Sequence, residues 1–388
     1  MNNFVFLLRG LTFLVIGGII SGCPVESGVT STLKDVSVPS QNLIEPLLLK
    51  KVMIDGFTID RLYFLLDNEH IMVIQGYKGA SFIDLKDENI LHSYLVKEIH
   101  AASEQIFHQD QYLLLQGRGI VYLWEIASGK LLQSWRDPDI NAKATAVSQS
   151  GRTIFTAQYV RQLQDETASW EKGPVRTLFS INAHAILSAA TISPNEDFLA
   201  TGGTWDNYTT LWDLHTGKRM SLWQMDQHVR TLSFSLDNRY LYAGTYNKLI
   251  VYDVVTQAKV SEISHPVGSG AEYLANQDAM LVVSDEGEIQ LITPTGKQLW
   301  YYQAGQEVKD WNHYPQRDLA VRLANGEIVI LDVKSGQVRL RFQSPFQVMG
   351  PLAVSQDGKW LTVAMFLEKE EKWGIALWQL PKKGNSGK

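Results

Sequence analysis

Short runs of apolar residues recur along most of the chain at a nearly constant spacing. There are eight such runs, and most of them follow a pair of turn-forming residues. The second residues of the runs are Ile71, Leu113, Ile154, Leu199, Leu241, Leu281, Ala320 and Leu361, so successive runs lie 42, 41, 45, 42, 40, 39 and 41 residues apart. A period in this range is typical of stacked or radial repeats, because one unit of this size cannot bury its own apolar face.

The pattern inside each unit predicts short strands joined by hairpins. About ten residues after the first run begins, a second run ends in a polar residue, as at Asp84, Asp213 and Asp332. In several units a glycine turn follows, as at Gly217 and Gly336, which is typical of the positive-φ position of a hairpin. No long stretch has the period of a helix. Four short strands per unit indicate the blade of a β-propeller.

The fourth unit resembles the WD-repeat family. Its segment SPNEDFLATGG (residues 193–203) leads into TLWDLHTGK (residues 210–218). In that family a His, a Ser or Thr, an Asp and the Trp form a hydrogen-bonded structural network. Carried over by position, the network comprises His184, Thr201 (or Thr204), Asp206 and Trp212. The resemblance implies the fold and a structural role for these residues, and it is strong in only one or two units.

The number of units and the two ends of the repeat region predict a closed ring. Residues 47–381 divide better into eight units of about 41 residues than into seven of about 47. The last unit supplies three strands, whereas residues 47–55 form a strand that precedes the first full unit. Pairing these two ends would remove exposed sheet edges. We therefore expect an all-β fold, an eight-bladed propeller of four-stranded blades closed by N- and C-terminal strands.

Two units are longer than the others and carry a tryptophan in the extra residues. The additional segments are residues 166–173, with Trp170, and residues 367–373, with Trp373. Both segments are charged and are expected to project as hairpin tips. A tolerated surface insertion is the simpler interpretation. Trp170 and Trp373 are nevertheless candidate partner contacts, since tryptophan is enriched at interface hot spots.

Residues 1–22 differ from the repeat region and predict a lipoprotein signal peptide. An almost uninterrupted apolar or glycine run over residues 11–20 leads into ISGC at residues 20–23. The ISGC segment looks like the lipobox of bacterial lipoproteins, in which small residues precede a cysteine that is acylated, for example with palmitate, and becomes the new N-terminus. Cys23 is the only cysteine in the 388 residues, and it is the predicted lipidation site.

Two alternatives exist for the leader, and neither explains a single cysteine at this position. An uncleaved membrane helix would need residues 4–20, which is near the lower length limit for spanning a bilayer. A plain secretory signal is the other alternative. With one thiol there can be no intramolecular disulfide, so core packing must stabilise the fold.

The segments that flank the predicted propeller are poor in core-forming residues. After the lipidated Cys23, the chain to residue 46 is rich in Ser, Thr, Val and Pro and predicts a flexible tether, and residues 382–388 predict a disordered tail. By resemblance, an Asp directly after the acylated cysteine favours retention in the inner membrane of Gram-negative bacteria. Pro24 lacks that signal, so an outer-membrane anchor facing the periplasm is favoured, and a Gram-positive cell surface stays open.

Charge and motifs argue against several classes of function. The formal charge is −6, and no run of Lys and Arg is longer than a pair, which disfavours a nucleic-acid partner. The nine histidines are scattered without a metal-ligand spacing. There is no Gly-x-Ser-x-Gly elbow and no phosphate-binding glycine loop. The acids of residues 285–288 fall at a hairpin turn, where solvated charges are favoured over calcium ligands. We predict no catalytic residue, no metal site and no cofactor.

These features predict a membrane-anchored, non-enzymatic scaffold in the bacterial cell envelope that binds one or more unidentified protein partners. A sharper alternative is an accessory lipoprotein of outer-membrane protein assembly, because TPTGKQLWYYQAG (residues 293–305) resembles the repeats of that family and of quinoprotein propellers. A third alternative, from another class, is a propeller enzyme of quinoprotein or hydrolase type. A quinone site would need paired acids and a cation lining the channel, with an aromatic platform.

Overall fold

The computed structural model describes most of the repeat region. The described residues are 46–54, 58–76, 78–96, 103–117, 119–136, 144–156, 159–163, 170–171, 173, 175–181, 186–204, 207–264, 270–314, 318–346, 348–368 and 371–381. The predicted signal peptide, Cys23, nearly all of the tether, the tail, and His184 and Asp206 of the predicted network lie outside them.

In the described ranges, thirty-two strands form eight four-stranded antiparallel sheets, which are the eight predicted blades. The first four blades are β2–β5 (Arg61–Phe64, His70–Gln75, Gly79–Asp84, Ile90–Leu95), β6–β9 (Ser103–Phe107, Tyr112–Gly117, Ile120–Glu125, Lys130–Arg136), β10–β13 (Thr145–Val147, Thr153–Thr156, Tyr159–Leu163, Val175–Ser180) and β14–β17 (Leu187–Ile192, Phe198–Gly203, Tyr208–Asp213, Arg219–Gln224). The next three are β18–β21 (Thr231–Phe234, Tyr240–Gly244, Lys248–Asp253, Lys259–Ser264), β22–β25 (Gly270–Leu274, Ala279–Val283, Glu288–Ile292, Gln298–Gln303) and β26–β29 (Val308–Tyr314, Asp318–Leu323, Glu327–Asp332, Val338–Gln343). The eighth blade joins β30–β32 (Val348–Val354, Trp360–Leu367, Lys372–Gln379) to β1 (Leu47–Ile54).

Helical structure is almost absent from the described residues. The one helical element there is a 3₁₀ turn at Ala275–Gln277. None of the helical structure in this part of the chain has the length and apolar character needed to cross a membrane.

Burial along each blade explains why the second strand gives the strongest signal in the sequence. The second strands, such as β3 (His70–Gln75) and β7 (Tyr112–Gly117), are buried along nearly their whole length because blades pack on both of their faces. The outer strands alternate instead, as in β21 (Lys259–Ser264), where every second residue is exposed. A continuous apolar run therefore marks the middle of a blade, and the outer strand is marked only by weak alternation.

The hydrophobic core consists of eight separate clusters, and each cluster fills one interface between neighbouring blades. The cluster between the sixth and seventh blades, for example, joins Leu281 and Leu291 to Leu319 and Leu331. Another joins Ile71 of the first blade to Ile375 of the eighth. Because every blade is packed against two neighbours, the ring is closed and the predicted eight-bladed propeller is confirmed.

The predicted closure by the two chain ends is also confirmed. Strand β1 pairs antiparallel with β32 from Leu47 opposite Gln379 to Ile54 opposite Trp373, with one irregularity after Leu48. Val52 and Ile54 of β1 are buried in the cluster shared by the eighth and first blades. The N-terminal strand thus completes a sheet whose other three strands come from the C-terminal end.

Glycines in the last hairpin of a blade adopt a positive φ and also leave room for an aromatic ring of the preceding blade. Gly336 has a φ of 68°, and a Cβ there would lie 2.6 Å from the Trp300 ring on the outer strand of the preceding blade. The Trp300 indole also donates to the Val333 carbonyl in the same hairpin at 2.9 Å. Gly217 stands in the same relation to Phe179. Both the positive φ and the packed ring therefore require glycine.

The first hairpins of several blades, which lie at the same end of the ring as these glycines, are linked to one another. In four of them a left-handed residue with φ between 58° and 62° accepts a hydrogen bond from the backbone of the preceding blade. The donor–acceptor pairs are Leu66 N to Asp110, Ser150 N to Glu196, Asn195 N to Asn238, and Asp357 N to Asn68. The last pair crosses the closure between the eighth and first blades.

The expectation that the two long units project tryptophans on hairpin tips is wrong. Trp170 is only 1% exposed, and it packs in the cluster between the second and third blades. Trp373 lies inside strand β32 opposite Ile54 and packs half-buried against the closure cluster. In the eighth blade the extra residues lengthen β31 and β32 to eight residues each, which lets β1 pair along the whole of its length.

Candidate functional site in the central channel

The first strand of each blade borders the central channel, and a large cavity lies there. It has a volume of about 720 Å³. Its walls come from β2, β22, β26 and β30 of the first, sixth, seventh and eighth blades, with Arg230, Asp285 and Glu307 from loops at the same end of the channel. A smaller cavity of about 200 Å³, lined by small residues of the third to fifth blades, shares Arg230 with it. We call the larger space the channel cavity.

Side chains of the inner strands hydrogen-bond to the next inner strand, one repeat further along the chain. Neighbouring inner strands belong to different sheets, so the backbone ladder that joins strands within a blade does not connect them. Polar side chains take its place. The contacts are Ser188 to the Val229 carbonyl, Thr231 to the Ala271 carbonyl (3.0 Å), Leu352 N to Asp310 Oδ2 (2.7 Å) and Val354 N to Asn312 Oδ1 (3.1 Å).

A tyrosine, a carboxylate and an arginine meet where the first and second blades adjoin. The Tyr63 hydroxyl donates to Glu104 Oε1 at 3.0 Å, and Arg61 Nε lies 3.7 Å from the same oxygen. Burial raises the pKa of Glu104, and Arg61 and the Tyr63 hydrogen bond oppose that shift. Burial and the neighbouring Glu104 raise the pKa of Tyr63. The phenol therefore stays protonated and acts as a hydrogen-bond donor.

A second buried charged pair borders the cavity in the seventh blade. Burial raises the pKa of Asp310, while the Leu352 N–H and Arg322 favour its ionised form. Burial lowers the pKa of Arg322, and Asp310 opposes that shift. The two residues are opposite each other on β26 and β27. Asp310 thus accepts a hydrogen bond from the backbone of the next blade, and the charge of the neighbouring Arg322 favours its ionised form.

His313 and Glu272 join the seventh blade to the sixth. His313 Nδ1 lies 3.1 Å from Glu272 Oε2, and the imidazole side chain is 4% exposed whereas the carboxylate is 53% exposed. An ionised carboxylate can only accept, so Nδ1 carries the proton. The other ring nitrogen, Nε2, is buried without a hydrogen-bond partner in the described structure.

Among the described residues, no group of three or more His, Cys, Asp and Glu side chains is arranged to hold a metal ion. Glu104, Asp310 and Arg61 do supply acids and a cation, as a quinone site would need. Trp311, however, packs against the core between the sixth and seventh blades, with its ring close to Gly270. The sixth blade therefore covers part of the Trp311 ring, although the residue also lines the cavity.

Part of the predicted WD-type network is visible in the fourth blade. The Trp212 indole donates to Thr201 Oγ1 at 2.9 Å, which selects Thr201 over Thr204. Thr201 lies two residues after Leu199, which pairs with Trp212. In the second blade, Leu115 has the equivalent position, two residues after Leu113, which pairs with Trp124. The Trp124 indole is accordingly buried without an acceptor. The hydrogen bond therefore follows the hydroxyl and does not recur where leucine replaces it.

Two charged clusters outside the channel contribute to the blades themselves. Glu262 accepts hydrogen bonds from Lys248 and Lys259, each at 2.8 Å, and these lysines lower its pKa to about 2. Asp318 is fully buried and pairs with Arg339, which also donates to the Pro381 carbonyl at 3.2 Å. Sequence reasoning identified neither cluster, although Glu262 and Lys259 are three residues apart on one strand.

Comparisons with known proteins agree with the repeat pattern. A family model described as "Outer membrane protein assembly factor BamB" matches residues 206–347, and one described as "WD domain, G-beta repeat" matches residues 174–213. The chain is similar in fold to the β-propeller domain of Cps50 (Swd1) from Myceliophteria thermophila, with a TM-score of 0.57 and 13% identity. The superposition covers 87% of this chain and 100% of the Cps50 domain. At that identity the likeness concerns the fold alone.

Curated relatives match only a fraction of the chain. Small ribosomal subunit protein RACK1 of Neurospora crassa is 34% identical over 77 residues, which is 20% of this chain and 24% of the relative. MST50-interacting protein 11 of Pyricularia oryzae is 32% identical over 77 residues, which is again 20% of this chain and 24% of the relative. The chain thus spans about a quarter of these curated relatives, which are fungal and lend no support to a bacterial origin. Fold and repeat sequence together support a WD-repeat-like β-propeller.

Proposed function

We propose that the chain is a non-enzymatic scaffold that binds protein partners, rather than nucleic acid, and is held at the bacterial cell envelope by a lipid on Cys23. The observation that supports a scaffold is that polar side chains in the channel bind one another or a neighbouring blade. Arg61, Tyr63 and Glu104 bind one another, and Asp310 binds the next blade. These groups hold neighbouring blades together. The exposed faces of the rigid ring are then the surfaces to which partners bind.

The comparisons support the same conclusion for the class of function. The repeat match is to the WD domain, and one relative is named as an interacting protein. Affinity capture of the full-length chain from crosslinked envelopes tests it directly. We expect the same protein partner in repeated captures, and its absence from captures with an unrelated lipoprotein. Captures that repeatedly contain no protein would remove the basis for a scaffold.

The anchor is supported by the ISGC segment and by the single cysteine. Cys23→Ser should leave the protein without acyl chains and shift it from the membrane to the soluble fraction, because the serine hydroxyl is not the thiol that this modification requires. Ser21→Ala is the matched control, since it keeps a small residue before the cysteine. Mass spectrometry of the N-terminal peptide reads the lipid. Membrane association of the Cys23→Ser protein equal to that of Ser21→Ala would contradict the anchor.

A Pro24→Asp protein then tests the preference for the outer over the inner membrane.

A second candidate function is accessory to outer-membrane protein assembly. The match of residues 206–347 to the BamB family model favours it specifically, since that match runs from the third strand of the fourth blade through the seventh blade. Deletion of the gene should lower the amount of folded porin in the outer membrane, and the wild-type gene on a plasmid should restore it. Unchanged porin levels after deletion would exclude this role and leave the general scaffold intact.

A further inference from the structure

The sixth blade gathers carboxylates at the end of the channel where the cavity opens. The turn between β23 and β24 and the loop between β25 and β26 meet there, because Val308 N donates to the Asp285 carbonyl at 2.9 Å and Ala304 N to the Gly287 carbonyl at 2.8 Å. We call this group the sixth-blade mouth. Its acidic residues that line the cavity are Glu272, Asp285 and Glu307.

Cations near the mouth are few and are already engaged. Lys309 is the one basic residue on the same loop and strand, and it is paired with Glu307. Arg61, across the cavity, contacts Glu104 of the second blade. The Arg230 guanidinium lies over the Tyr246 ring, 5.5 Å from its centroid. The sixth-blade side of the cavity therefore has a negative potential, and low-dielectric walls strengthen such a potential.

The His313–Glu272 pair gives a second and independent indication of a ligand. His313 lines the same cavity, its side chain is 96% buried (4% exposed), and its Nε2 has no partner in the described structure. A buried polar atom without a partner costs free energy. The wall at His313 is therefore incomplete in the described structure, and the carboxylates around it favour a positively charged group.

We infer that the sixth-blade mouth binds a lysine or arginine side chain of a partner segment. Glu272 and Glu307, both about half exposed, receive the cation, and His313 holds Glu272 in position. The cavity is large enough for such a side chain, because its volume of about 720 Å³ exceeds that of any one residue. This inference rests on the proposal that the chain binds protein partners, and it names the chemistry of the partner.

The test uses the purified full-length chain and defined peptides. A dye-labelled peptide of alternating glycine and arginine is titrated and its fluorescence anisotropy recorded, with glycine–glutamine and glycine–glutamate peptides as controls. We expect the arginine peptide to bind about tenfold or more tightly than either control. Its affinity should fall as sodium chloride is raised, because the contacts are between exposed charges. Equal affinity for the glutamate peptide would overturn the inference.

Variants then locate the contact on the sixth blade. Glu272→Gln and Glu307→Gln should each weaken binding of the arginine peptide by about tenfold. Glu69→Gln removes an equally exposed charge from a hairpin at the opposite end of the ring and should have no effect. His313→Gln should weaken binding in the wild-type background but add little to Glu272→Gln, since the histidine acts through that carboxylate. Equal binding by Glu272→Gln and Glu69→Gln would place the peptide elsewhere.

Two further outcomes separate this inference from its alternatives. If calcium binds the mouth and displaces the arginine peptide at equal charge concentration, the site takes inorganic cations and the inference is wrong. If the arginine peptide fails to bind while envelope capture retrieves a reproducible partner, the scaffold proposal stands and only the chemistry of the mouth is refuted. Specific binding of the peptide supports the mouth whether or not a cellular partner has been captured.

Discussion

Replacement of Trp170 distinguishes a core residue from a partner contact. The side chain is 1% exposed, its indole donates to the Gly151 carbonyl at 2.8 Å, and its ring meets Trp135 edge-on at 6.1 Å. Trp170→Ala removes the packing and the hydrogen bond together. For a fully buried tryptophan that change costs about 3–5 kcal/mol of the free energy of unfolding. Trp170→Phe keeps much of the packing and leaves the carbonyl without its donor, which costs about 1–3 kcal/mol.

Urea unfolding followed by far-ultraviolet circular dichroism measures these differences without relying on tryptophan fluorescence. Trp373→Phe is the matched control, because Trp373 is half-buried and its indole makes no hydrogen bond to the residues that the structure describes. It should change the free energy of unfolding by less than about 1 kcal/mol. If Trp170→Ala unfolded at the wild-type urea concentration while partner binding was lost, Trp170 would be a contact residue and its assignment to the core would fail.

Three further predictions test the closure, a buried ion pair and a surface cluster. Ile54→Ala, at a site 1% exposed, should cost about 2–5 kcal/mol in urea unfolding, and Met53→Ala, 37% exposed, less than about 1 kcal/mol. Equal costs would argue against closure through β1. Arg339→Met leaves the buried Asp318 unpaired and should cost about 3–5 kcal/mol, most of which Asp318→Asn should restore in the double variant; a double variant no more stable than the single would refute the pairing. The Glu262 pKa falls on folding from 4.5 to about 2, so its stabilisation is present above pH 4.5 and is lost as the pH falls toward 2. Glu262→Gln should therefore destabilise by less than about 1 kcal/mol at neutral pH and not at all near pH 2, and a difference independent of pH would contradict this.

The repeat number and the closure could be predicted from sequence because both depend on local pattern. The second strand of each blade is buried on two faces, so it must be apolar throughout, and such runs repeat visibly. Strand β1 was predictable because residues 47–55 had no partner within their own unit. Strand β10, with three residues, carries little pattern of its own. Its place follows from the period.

The burial of Trp170 could not be predicted from its neighbours in sequence. Charged residues surround it, as Glu171 and Lys172 show, and charge predicts exposure. The space that receives the ring is formed by residues such as Leu114 and Leu163, which belong to two different blades. Local polarity describes the hairpin, whereas the position of the tryptophan is decided by the interface behind it.

The channel residues were missed for a related reason, although a signal for them exists. Tyr63 and Glu104 are 41 residues apart, and Asp310 and Leu352 are 42 apart, so each pair is separated by one repeat. Polar residues on inner strands could therefore have been compared at that spacing. What the spacing cannot give is burial, which shifts the pKa of Glu104 and of Asp310 upward and depends on the whole ring.

The same one-repeat spacing argues that the sixth-blade mouth has a role beyond holding the ring together. Between the fifth and sixth blades, the Thr231 hydroxyl joins the inner strands by one neutral hydrogen bond to the Ala271 carbonyl. Between the sixth and seventh, the side chains of Glu272 and His313, 41 residues apart, join the inner strands instead. A charged group that is partly buried carries a desolvation cost that a hydroxyl does not, so the pair is a poor choice if joining strands is its only task. The half-exposed carboxylate is the feature that a threonine would lack, and it points toward a cation from outside the chain.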